Sequence, residues 1–445
     1  MASEYLETTC CVVGGGPAGM MLGYLLARRG VQVTVLEKHR DFFRDFRGDT
    51  VHPSTLEVLN ELGLLKEFLD LPHQRVSSVG VIIGDSSFAV ADFRHLSMTC
   101  KFVALMPQWD FLNFLSAHAK RLPTFQILMQ HEARSLILEN GRVQGVAVQN
   151  EEREVQIRAE LVVGCDGRHS LTRNAGGLEV IEHGVPIDVL WFRISRKPDD
   201  PGQVLGNLNY GKALILINRA DYFQAGLIIK KGSFEQIKSD GLDAFRGIIS
   251  QIAPYLADRV HELRDWEQIN ILTVQINRLR RWHRPGLLCI GDAAHAMSPA
   301  GGVGINLAIQ DAVAAANILA EPLQECRVPE SALAAVQSRR EFPTRVTQTI
   351  QLFAHRGFAK AFENAGPIRA PWQVKMASRI PGLQRILGYA VGVGARPEHV
   401  RDETGPQTRR FRVATAVFAA IGIAGVAAAF SWAAIRALNA KHADS

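Results

Sequence analysis

A glycine-rich turn near the start of the chain carries the clearest chemical signal in the sequence. A short apolar run leads into three consecutive glycines, and Pro17 and Gly19 follow. Gly14 permits a tight turn, Gly16 has no Cβ to hold off a pyrophosphate, and Gly19 lets a helix lie close to a strand. Because the positive end of that helix would face the phosphates, the spacing predicts a dinucleotide-binding site.

The strand after this helix ends in Glu37, 18 residues beyond Gly19. A carboxylate at this point can accept hydrogen bonds from both hydroxyls of an adenosine ribose. An acidic group would also repel a 2′-phosphate. The sequence therefore predicts FAD or NAD, rather than NADP, as the bound dinucleotide.

Two further turns follow apolar strands later in the chain. Asp166-Gly167 ends one strand, where a carboxylate would lie at the carboxyl edge of a parallel sheet. Gly291-Asp292 ends another and is followed by a Pro/Gly loop and a helix beginning near Asn306. Closely spaced glycines before a helix expose backbone N–H groups that can hold an anion, including the N1–C2=O edge of a reduced flavin.

Hydrophobic periodicity places these motifs on a mixed set of elements. We expect helices over 17–29, 53–65, 108–121 and 306–319, since their apolar residues recur at helical spacing. Residues 176–284 change to short strand-like runs with one helix near 242–253, which indicates a second, largely antiparallel sheet. Part of that sheet should line the pocket that it closes.

Composition limits the classes of function. The 445 residues are 47% hydrophobic, ample for a folded core, and the formal charge is +6. Residues 369–412 hold nine Arg and Lys against three acidic residues, so the rest of the chain is neutral. This favours a local basic patch over a nucleic-acid face. The six cysteines lack metal or disulfide spacing, which indicates no metal site and a reducing, cytosolic compartment.

Taken in order, these motifs resemble those of the class A flavoprotein monooxygenases, the family of para-hydroxybenzoate hydroxylase and the ubiquinone-biosynthesis hydroxylases. The resemblance covers about residues 8–330. It implies that FAD is the cofactor, and that the pyrophosphate, ribose, ribityl chain and isoalloxazine are held by Gly14, Gly16, Pro17, Ala18, Gly19, Glu37, Lys38, Arg47, Gln108, Asp166, Gly291, Asp292, Gly301, Gly302, Val303, Gly304 and Asn306.

The resemblance also implies a reaction. NAD(P)H would reduce the flavin and O₂ would add to it as a C4a-hydroperoxide, which hydroxylates an electron-rich substrate. Together with the apolar C-terminal segment described below, this predicts an aromatic or lipophilic, quinone-like or polyprenyl-like substrate. Pro299 matches the family proline beside the flavin, and His52 is a candidate at the pocket rim. The chain has no second GxGxxG motif, so NAD(P)H would be met transiently in a cleft.

The resulting fold class is α/β, with a Rossmann-like FAD-binding domain interleaved with an antiparallel β-sheet substrate domain, followed by C-terminal helices and a transmembrane helix. The FAD-binding domain is expected over 1–75, 105–175 and 285–330, and the substrate domain over 76–104 and 176–284. Residues 331–408 would form a helical, basic, membrane-proximal region. Residues 409–445 would be a membrane anchor.

The anchor prediction rests on residues 413–435, which contain no charge in 23 positions. As a helix they would be ~34 Å long, enough to cross a hydrocarbon layer of about 30 Å. Arginines precede the segment more heavily than they follow it, which places the catalytic domain on the cytoplasmic side. Upstream, Ile380, Leu383, Leu387 and Val391 alternate with basic residues, a pattern suited to an anionic membrane surface.

Two other functions remain open from the sequence. An isoprenoid double-bond reductase of the geranylgeranyl type would share the FAD fold and the membrane location but consume no oxygen. A membrane-tethered flavoprotein without turnover would oxidise NAD(P)H very slowly. A flavin halogenase is disfavoured because the chain has no Trp-x-Trp pair. The substrate, the nicotinamide preference and the oligomeric state do not follow from the sequence.

Overall fold

The computed structural model describes residues 4–43, 50–150, 153–201, 204–219, 221–362, 366–370 and 372–401. The strands in chain order are β1 (Glu4–Val13), β2 (Val33–Glu37), β3 (Thr50–Val51), β4 (Gln74–Val76), β5 (Ser78–Ile83), β6 (Ser86–Asp92), β7 (Val103–Leu105), β8 (Phe125–Met129), β9 (His131–Glu139), β10 (Arg142–Asn150), β11 (Arg153–Gly164), β12 (Val180–His183), β13 (Ile187–Ser195), β14 (Val204–Asn209), β15 (Lys212–Arg219), β16 (Tyr222–Lys230), β17 (Asn270–Leu272), β18 (Ile276–Leu279), β19 (His283–Arg284) and β20 (Leu287–Cys289).

The helices are α1 (Pro17–Arg28), α2 (Pro53–Glu61), α3 (Leu65–Leu69), α4 (Gln108–Ala119), α5 (Leu171–Ala175), α6 (Phe234–Ser239), α7 (Leu242–Ile252), α8 (Gly304–Gln324), α9 (Glu330–Ala361), α10 (Trp372–Ser378) and α11 (Leu383–Gly392). The segment predicted as one helix over 53–65 is two helices, because the chain turns through Gly63 at a φ of +74°. The helix predicted over 306–319 is α8, which extends beyond those bounds at both ends.

An eight-stranded sheet carries the motifs of the amino-terminal turn. Its parallel part runs β20-β11-β1-β2-β8, while β9, β10 and β19 pair antiparallel. Residues 10–13 of β1 are buried, as expected for a central parallel strand covered on both faces. Because the carboxyl ends of these strands meet at one edge, the glycine turn, Glu37, Asp166 and the Gly291-Asp292 turn converge there.

A second sheet of seven strands runs β17-β13-β16-β15-β14-β5-β6, antiparallel except for the β5–β14 pair. Successive side chains along each strand point to opposite faces of this sheet, and both faces are buried. Leu190 and Phe192 of β13 point to the face covered by α7, where they meet Phe245. Trp191, between them in sequence, points to the opposite face. Two- and three-stranded sheets, β12-β18 and β3-β7-β4, complete the mixed α/β fold predicted from the sequence.

Two of the sequence predictions fall on residues that the structure does not describe. Arg47 and the charge-free segment 413–435 lie outside the described residues. Among the residues described, Ala300–Gln324 is long and apolar enough to cross a membrane, but 83% of its apolar window is buried inside the protein. This burial is typical of a core helix.

Candidate functional site: a cavity between two sheets

A cavity of about 460 Å³ opens at the edge where the parallel strands end. One part is lined by the glycine turn and the neighbouring polar loops. The other part reaches the seven-stranded sheet. The predicted site residues that line it are Gly14, Gly16, Pro17, Ala18, Glu37, Lys38, Gln108, Asp166, Asp292, Pro299, Gly302 and Gly304.

The glycines of the amino-terminal turn serve different purposes. Gly14 has a φ of +109°, and a Cβ there would lie 2.5 Å from the Cys165 carbonyl oxygen. A Cβ on Gly19 would lie 2.0 Å from the Gly14 carbonyl oxygen, so Gly19 lets α1 approach the turn without itself lining the cavity. A Cβ on Gly16 would meet no protein atom within 4 Å. Gly16 is therefore the glycine that leaves room for a ligand.

The amino end of α1 supplies donors beside Gly16. Gly16 is the N-cap residue, and no side chain of the described residues caps the helix. The first N–H groups of an uncapped helix have no partner within the helix and form a site for anions. This end of the cavity therefore suits a pyrophosphate.

Glu37 is fixed by the main chain around it. Its Oε2 accepts the N–H of Gly15 at 3.1 Å, and its Oε1 accepts the N–H of His39 at 3.0 Å. The half-buried carboxylate thus lies against the glycine turn and lines the cavity. A carboxylate oxygen has room for more than one hydrogen bond, so these contacts leave it able to accept ribose hydroxyls as well.

Asp166 has a local structural role that the sequence did not reveal. Its carboxylate accepts hydrogen bonds from Ser170 Oγ at 2.6 Å, from Thr172 N at 2.9 Å and from Thr172 Oγ1 at 2.8 Å. These bonds fasten the Asp-Gly turn to the start of α5. Asp166 also lines the cavity, with most of its acceptor positions already used.

Arg168 is a site residue that sequence reasoning missed. Its Nε lies 3.1 Å from Asp292 Oδ2, and its Nη2 donates to the Met297 carbonyl at 3.3 Å. Its Nη1 is buried without a hydrogen-bond partner among the described residues. Arg168 thus joins the Asp166 and Asp292 turns and lines the cavity. Its position directly after Asp-Gly was the only available signal.

The loop 291–306 contributes only some of its residues to the cavity. Gly302 and Gly304 line it, and Gly302 has a φ of +63° and lies against Thr50, whose Oγ1 donates to the Gly302 carbonyl at 2.8 Å. Gly291, Gly301, Val303 and Asn306 are not among the described residues that line it. The Asn306 Oδ1 instead accepts hydrogen bonds from Ser54 Oγ at 2.7 Å and Thr55 Oγ1 at 2.8 Å.

A buried charge network supports this loop from behind. Asp311 Oδ2 accepts the Gly291 N–H at 3.1 Å and lies 2.6 Å from His295 Nε2. Its Oδ1 lies 2.9 Å from Arg340 Nε, and Arg340 Nη1 lies 3.2 Å from Glu398. Although burial opposes ionisation, His295 and Arg340 hold the pKa of Asp311 below its usual value. The network joins the Gly291-Asp292 turn to α8, α9 and the 396–398 segment.

The structure does not bring His52 into the cavity. Its ring is 1% exposed, with Nδ1 2.9 Å from the Val391 carbonyl and Nε2 3.1 Å from the Gly302 carbonyl. Burial lowers its pKa to about 4. His52 therefore fastens the loop 291–306 to the carboxyl end of α11.

The opposite wall of the cavity comes from the seven-stranded sheet. Trp191, Ile217, Gln224 and Leu272 line it. The Trp191 ring lies over Gly226 of the next strand, where a Cβ would be 2.9 Å from the ring. The sequence predicted that this sheet lines the pocket, but alternation alone did not identify which face does so.

Gln224 is the polar group of this wall. It is 7% exposed, and its Oε1 accepts a hydrogen bond from Arg219 at 3.4 Å. No described residue accepts from its Nε2. A buried amide N–H2 beside apolar side chains is a donor that a ligand oxygen can satisfy.

The uncapped amino end of α1, the open space at Gly16 and the unpartnered Nη1 of Arg168 fit an elongated anionic cofactor. Together with the convergence of three motif turns on one sheet edge, they define an FAD-binding protein. Residues 7–350 match the family model described as FAD binding domain, and the chain belongs to this family, that of the class A FAD-dependent aromatic monooxygenases.

Named relatives agree with this assignment. The chain is 30% identical over 387 residues to the 6-methylpretetramide 4-monooxygenase of Streptomyces rimosus, covering 86% of this chain and 91% of that protein. It is 30% identical over 307 residues to the rifampicin monooxygenase of Streptomyces venezuelae, covering 68% of this chain and 61% of that protein. The protein is thus an FAD-dependent monooxygenase, an oxidoreductase.

Solved structures share the fold. The p-nitrophenol 4-monooxygenase of Pseudomonas putida superposes with a TM-score of 0.71 at 20% identity, covering 86% of this chain and 97% of that chain. At this level of sequence identity, the structural similarity supports a shared fold and nothing more.

Proposed function

We propose that the enzyme uses NAD(P)H and O₂ to hydroxylate an aromatic or lipophilic substrate held between the flavin site and the seven-stranded sheet. The observation that carries the proposal is the continuity of one cavity from Gly16 to Trp191. A substrate on the sheet side of that cavity would lie beside the flavin. The names of the relatives, a 6-methylpretetramide 4-monooxygenase and a rifampicin monooxygenase, agree with oxygen transfer to an organic substrate.

The polar end of the cavity, at the glycine turn, would bind the successive parts of FAD. The α1 amino end and Gly16 would hold the pyrophosphate, Glu37 the adenosine ribose and Asp292 the ribityl chain. Lys38 and Gln108 line the same cavity, as do Gly302 and Gly304, which would border the isoalloxazine. Bound FAD supplies the two-electron and oxygen-activating chemistry.

The apolar end orients the substrate and excludes water. Trp191, Ile217 and Leu272 offer a surface on which an aromatic ring can pack. Gln224 Nε2 would donate a hydrogen bond to an oxygen of the substrate, which fixes the ring's rotation in its plane. Pro299 borders the cavity near Gly302, where its backbone would face the substrate. NAD(P)H would enter only transiently.

We also propose four regions in the chain: an FAD-binding domain over 1–75, 105–175 and 285–330, a substrate domain over 76–104 and 176–284, a membrane-proximal region over 331–408, and an anchor over 409–445. The charge-free run at 413–435 supports tethering to a membrane by one C-terminal helix, and the arginines that precede it support a cytoplasmic catalytic domain. Resistance of the full chain to alkaline extraction from membranes tests the anchor. Release into the supernatant would contradict it.

The proposed reaction is tested by a substrate screen. Purified holoenzyme is mixed with NADH or NADPH and with aromatic compounds or lipid extracts, and O₂ uptake is recorded beside NAD(P)H oxidation. We expect one O₂ consumed for each NAD(P)H oxidised, with an oxygenated product found by mass. Substrate-dependent NAD(P)H oxidation without O₂ uptake would instead indicate a double-bond reductase.

A further inference from the structure

An exposed apolar stripe lies on the surface formed by α10, α11 and the turn between them. Trp372 is 66% exposed, Met376 53%, Ile380 53% and Ile386 40%. Trp372 and Met376 are four residues apart on α10 and so share one face of that helix, while Ile380 follows in the turn and Ile386 lies on α11. Monomeric proteins seldom expose large apolar side chains as a contiguous group without a binding role. We call these four residues the apolar stripe.

Cations border the apolar stripe. Lys375, Arg379 and Arg385 are exposed between and beside its members. From residue 364 to residue 397 the sequence has five Lys and Arg and no Asp or Glu. The partner of this surface must therefore be both apolar and anionic. A bilayer with anionic headgroups meets both conditions, because acyl chains receive Trp, Met and Ile while phosphates receive Lys and Arg.

The inward sides of both helices are already packed, which fixes the stripe at the surface. Val374 is buried with Ile83 and Phe88. On α11, a Cβ on Gly388 would lie 2.2 Å from the Asp92 carbonyl, so the helix rests directly on β6. The predicted membrane-facing set was therefore largely wrong: Leu383 is buried, and Leu387 and Val391 pack against the sheet, while Ile380 alone is exposed.

We propose that the apolar stripe and its three cations dock on the surface of an anionic lipid bilayer. The inference deepens the proposed membrane location: the chain continues from Arg401 toward the charge-free segment 413–435, which would hold the stripe close to the bilayer. The stripe would determine which face of the catalytic domain meets the bilayer.

The test uses the full-length holoenzyme with an environment-sensitive fluorophore on one introduced cysteine. The exposed Cys326 is replaced by serine, and the label is attached to Met376→Cys. Ile271→Cys is the matched control, because Ile271 is 45% exposed on β17, at the sheet edge opposite the β6 edge that α11 covers. Vesicles contain phosphatidylcholine alone or with phosphatidylglycerol.

We expect a blue shift of the probe at position 376 with phosphatidylglycerol vesicles and no shift at position 271. Lys375→Gln, Arg379→Gln and Arg385→Gln should each weaken the docking equilibrium about fivefold. Co-sedimentation of the protein with vesicles measures membrane binding by the anchor, independently of the probe. A chain that sediments while the probe at 376 stays unshifted would overturn the docking surface and keep the anchor. Absence of both signals would overturn both.

Other occupants of the stripe give distinct results. A blue shift in buffer that dilution removes would mean that a second copy of the chain covers it. A shift in buffer that survives dilution would mean that the chain's own C-terminal segment covers it. Either result would overturn the proposal.

Discussion

The guanidinium of Arg168 lies 3.1 Å from the Asp292 carboxylate, across 124 residues of sequence. This contact joins the turn after β11 to the turn after β20 at the mouth of the cavity. Because both side chains are only about one quarter to one third exposed, each is held in place while one edge still faces the cavity. We therefore expect the ion pair to position the cofactor-binding turns and to contribute little to the free energy of unfolding.

Replacing Arg168 should consequently weaken FAD binding with little effect on the fold. A partly exposed ion pair contributes at most about 1 kcal/mol to stability, whereas a lost charge-assisted hydrogen bond near the cofactor corresponds to about 10- to 100-fold in affinity. We expect Arg168→Met to raise the FAD dissociation constant by that factor in a fluorescence titration of the apoprotein. Its melting temperature should stay within a few degrees of wild type.

Arg280→Met is the matched control, since Arg280 forms a 2.9 Å ion pair with Glu179 on the open surface. It should leave FAD affinity unchanged. Equal losses of affinity in the two variants would contradict the role assigned to Arg168.

The glycine turn allows fold and cofactor binding to be separated by two matched substitutions. In Gly16→Ala the new methyl meets no protein atom within 4 Å, so stability should hold while FAD affinity falls. In Gly14→Ala the residue is strained at a φ of +109° and meets the Cys165 carbonyl, which should lower the free energy of unfolding by about 2 kcal/mol or more. Urea unfolding and FAD titration of both variants measure this. Unchanged FAD affinity in Gly16→Ala would count against the phosphate site.

Gln224 should affect substrate selection without affecting the flavin. Gln224→Leu keeps the approximate volume but removes the donor, so we expect kcat/KM to fall about 10-fold or more for a substrate with an acceptor oxygen. FAD content should not change. Gln251→Leu, an exposed position on α7 behind the sheet, is the control. If kcat/KM is the same for wild type and Gln224→Leu with several substrates that carry an acceptor oxygen, Gln224 does not contact the substrate.

Acid should destabilise the protein through His52. Its pKa falls from 6.5 to about 4 in the folded protein because the ring is buried. Below pH 6.5 this histidine therefore becomes protonated in the unfolded chain but stays neutral in the folded protein. The free energy of unfolding consequently decreases by about 3 kcal/mol between pH 7 and pH 4. Above pH 6.5 the residue makes no pH-dependent contribution.

Urea unfolding from pH 7 to pH 4 checks this expectation. His52→Gln should show a flatter profile than wild type, and the exposed His261→Gln should match wild type. If the free energy of unfolding of His52→Gln depends on pH as steeply as that of wild type, groups other than His52 cause the acid destabilisation.

The sequence predicted best what is local. The strand, glycine turn and helix at 4–28, and the acidic ends of later strands, follow from spacing within a few residues. The parallel sheet then brings these ends to one edge. Asn306 and His52 show the limit: their side chains are turned away from the cavity by Ser54, Thr55 and Val391, which are distant in sequence.

The same limit applies to the sheet wall and to the membrane surface. Alternation in β13 shows that Trp191 and Phe192 face opposite ways, but only the packing of α7 on one face decides that Trp191 meets the cavity. In α11 both sides of the helix carry apolar residues, so periodicity could not tell the face that packs on β6 from the face that is exposed.

The central claim is that the cavity joins a flavin to a substrate that receives oxygen. Turnover of the holoenzyme under isotopically labelled O₂ gas, with the product analysed by mass spectrometry, tests it most directly. We predict one labelled oxygen atom in each product molecule. A product that gains hydrogen but no label, or labelled hydrogen peroxide as the only oxygen product with every substrate tried, would contradict it.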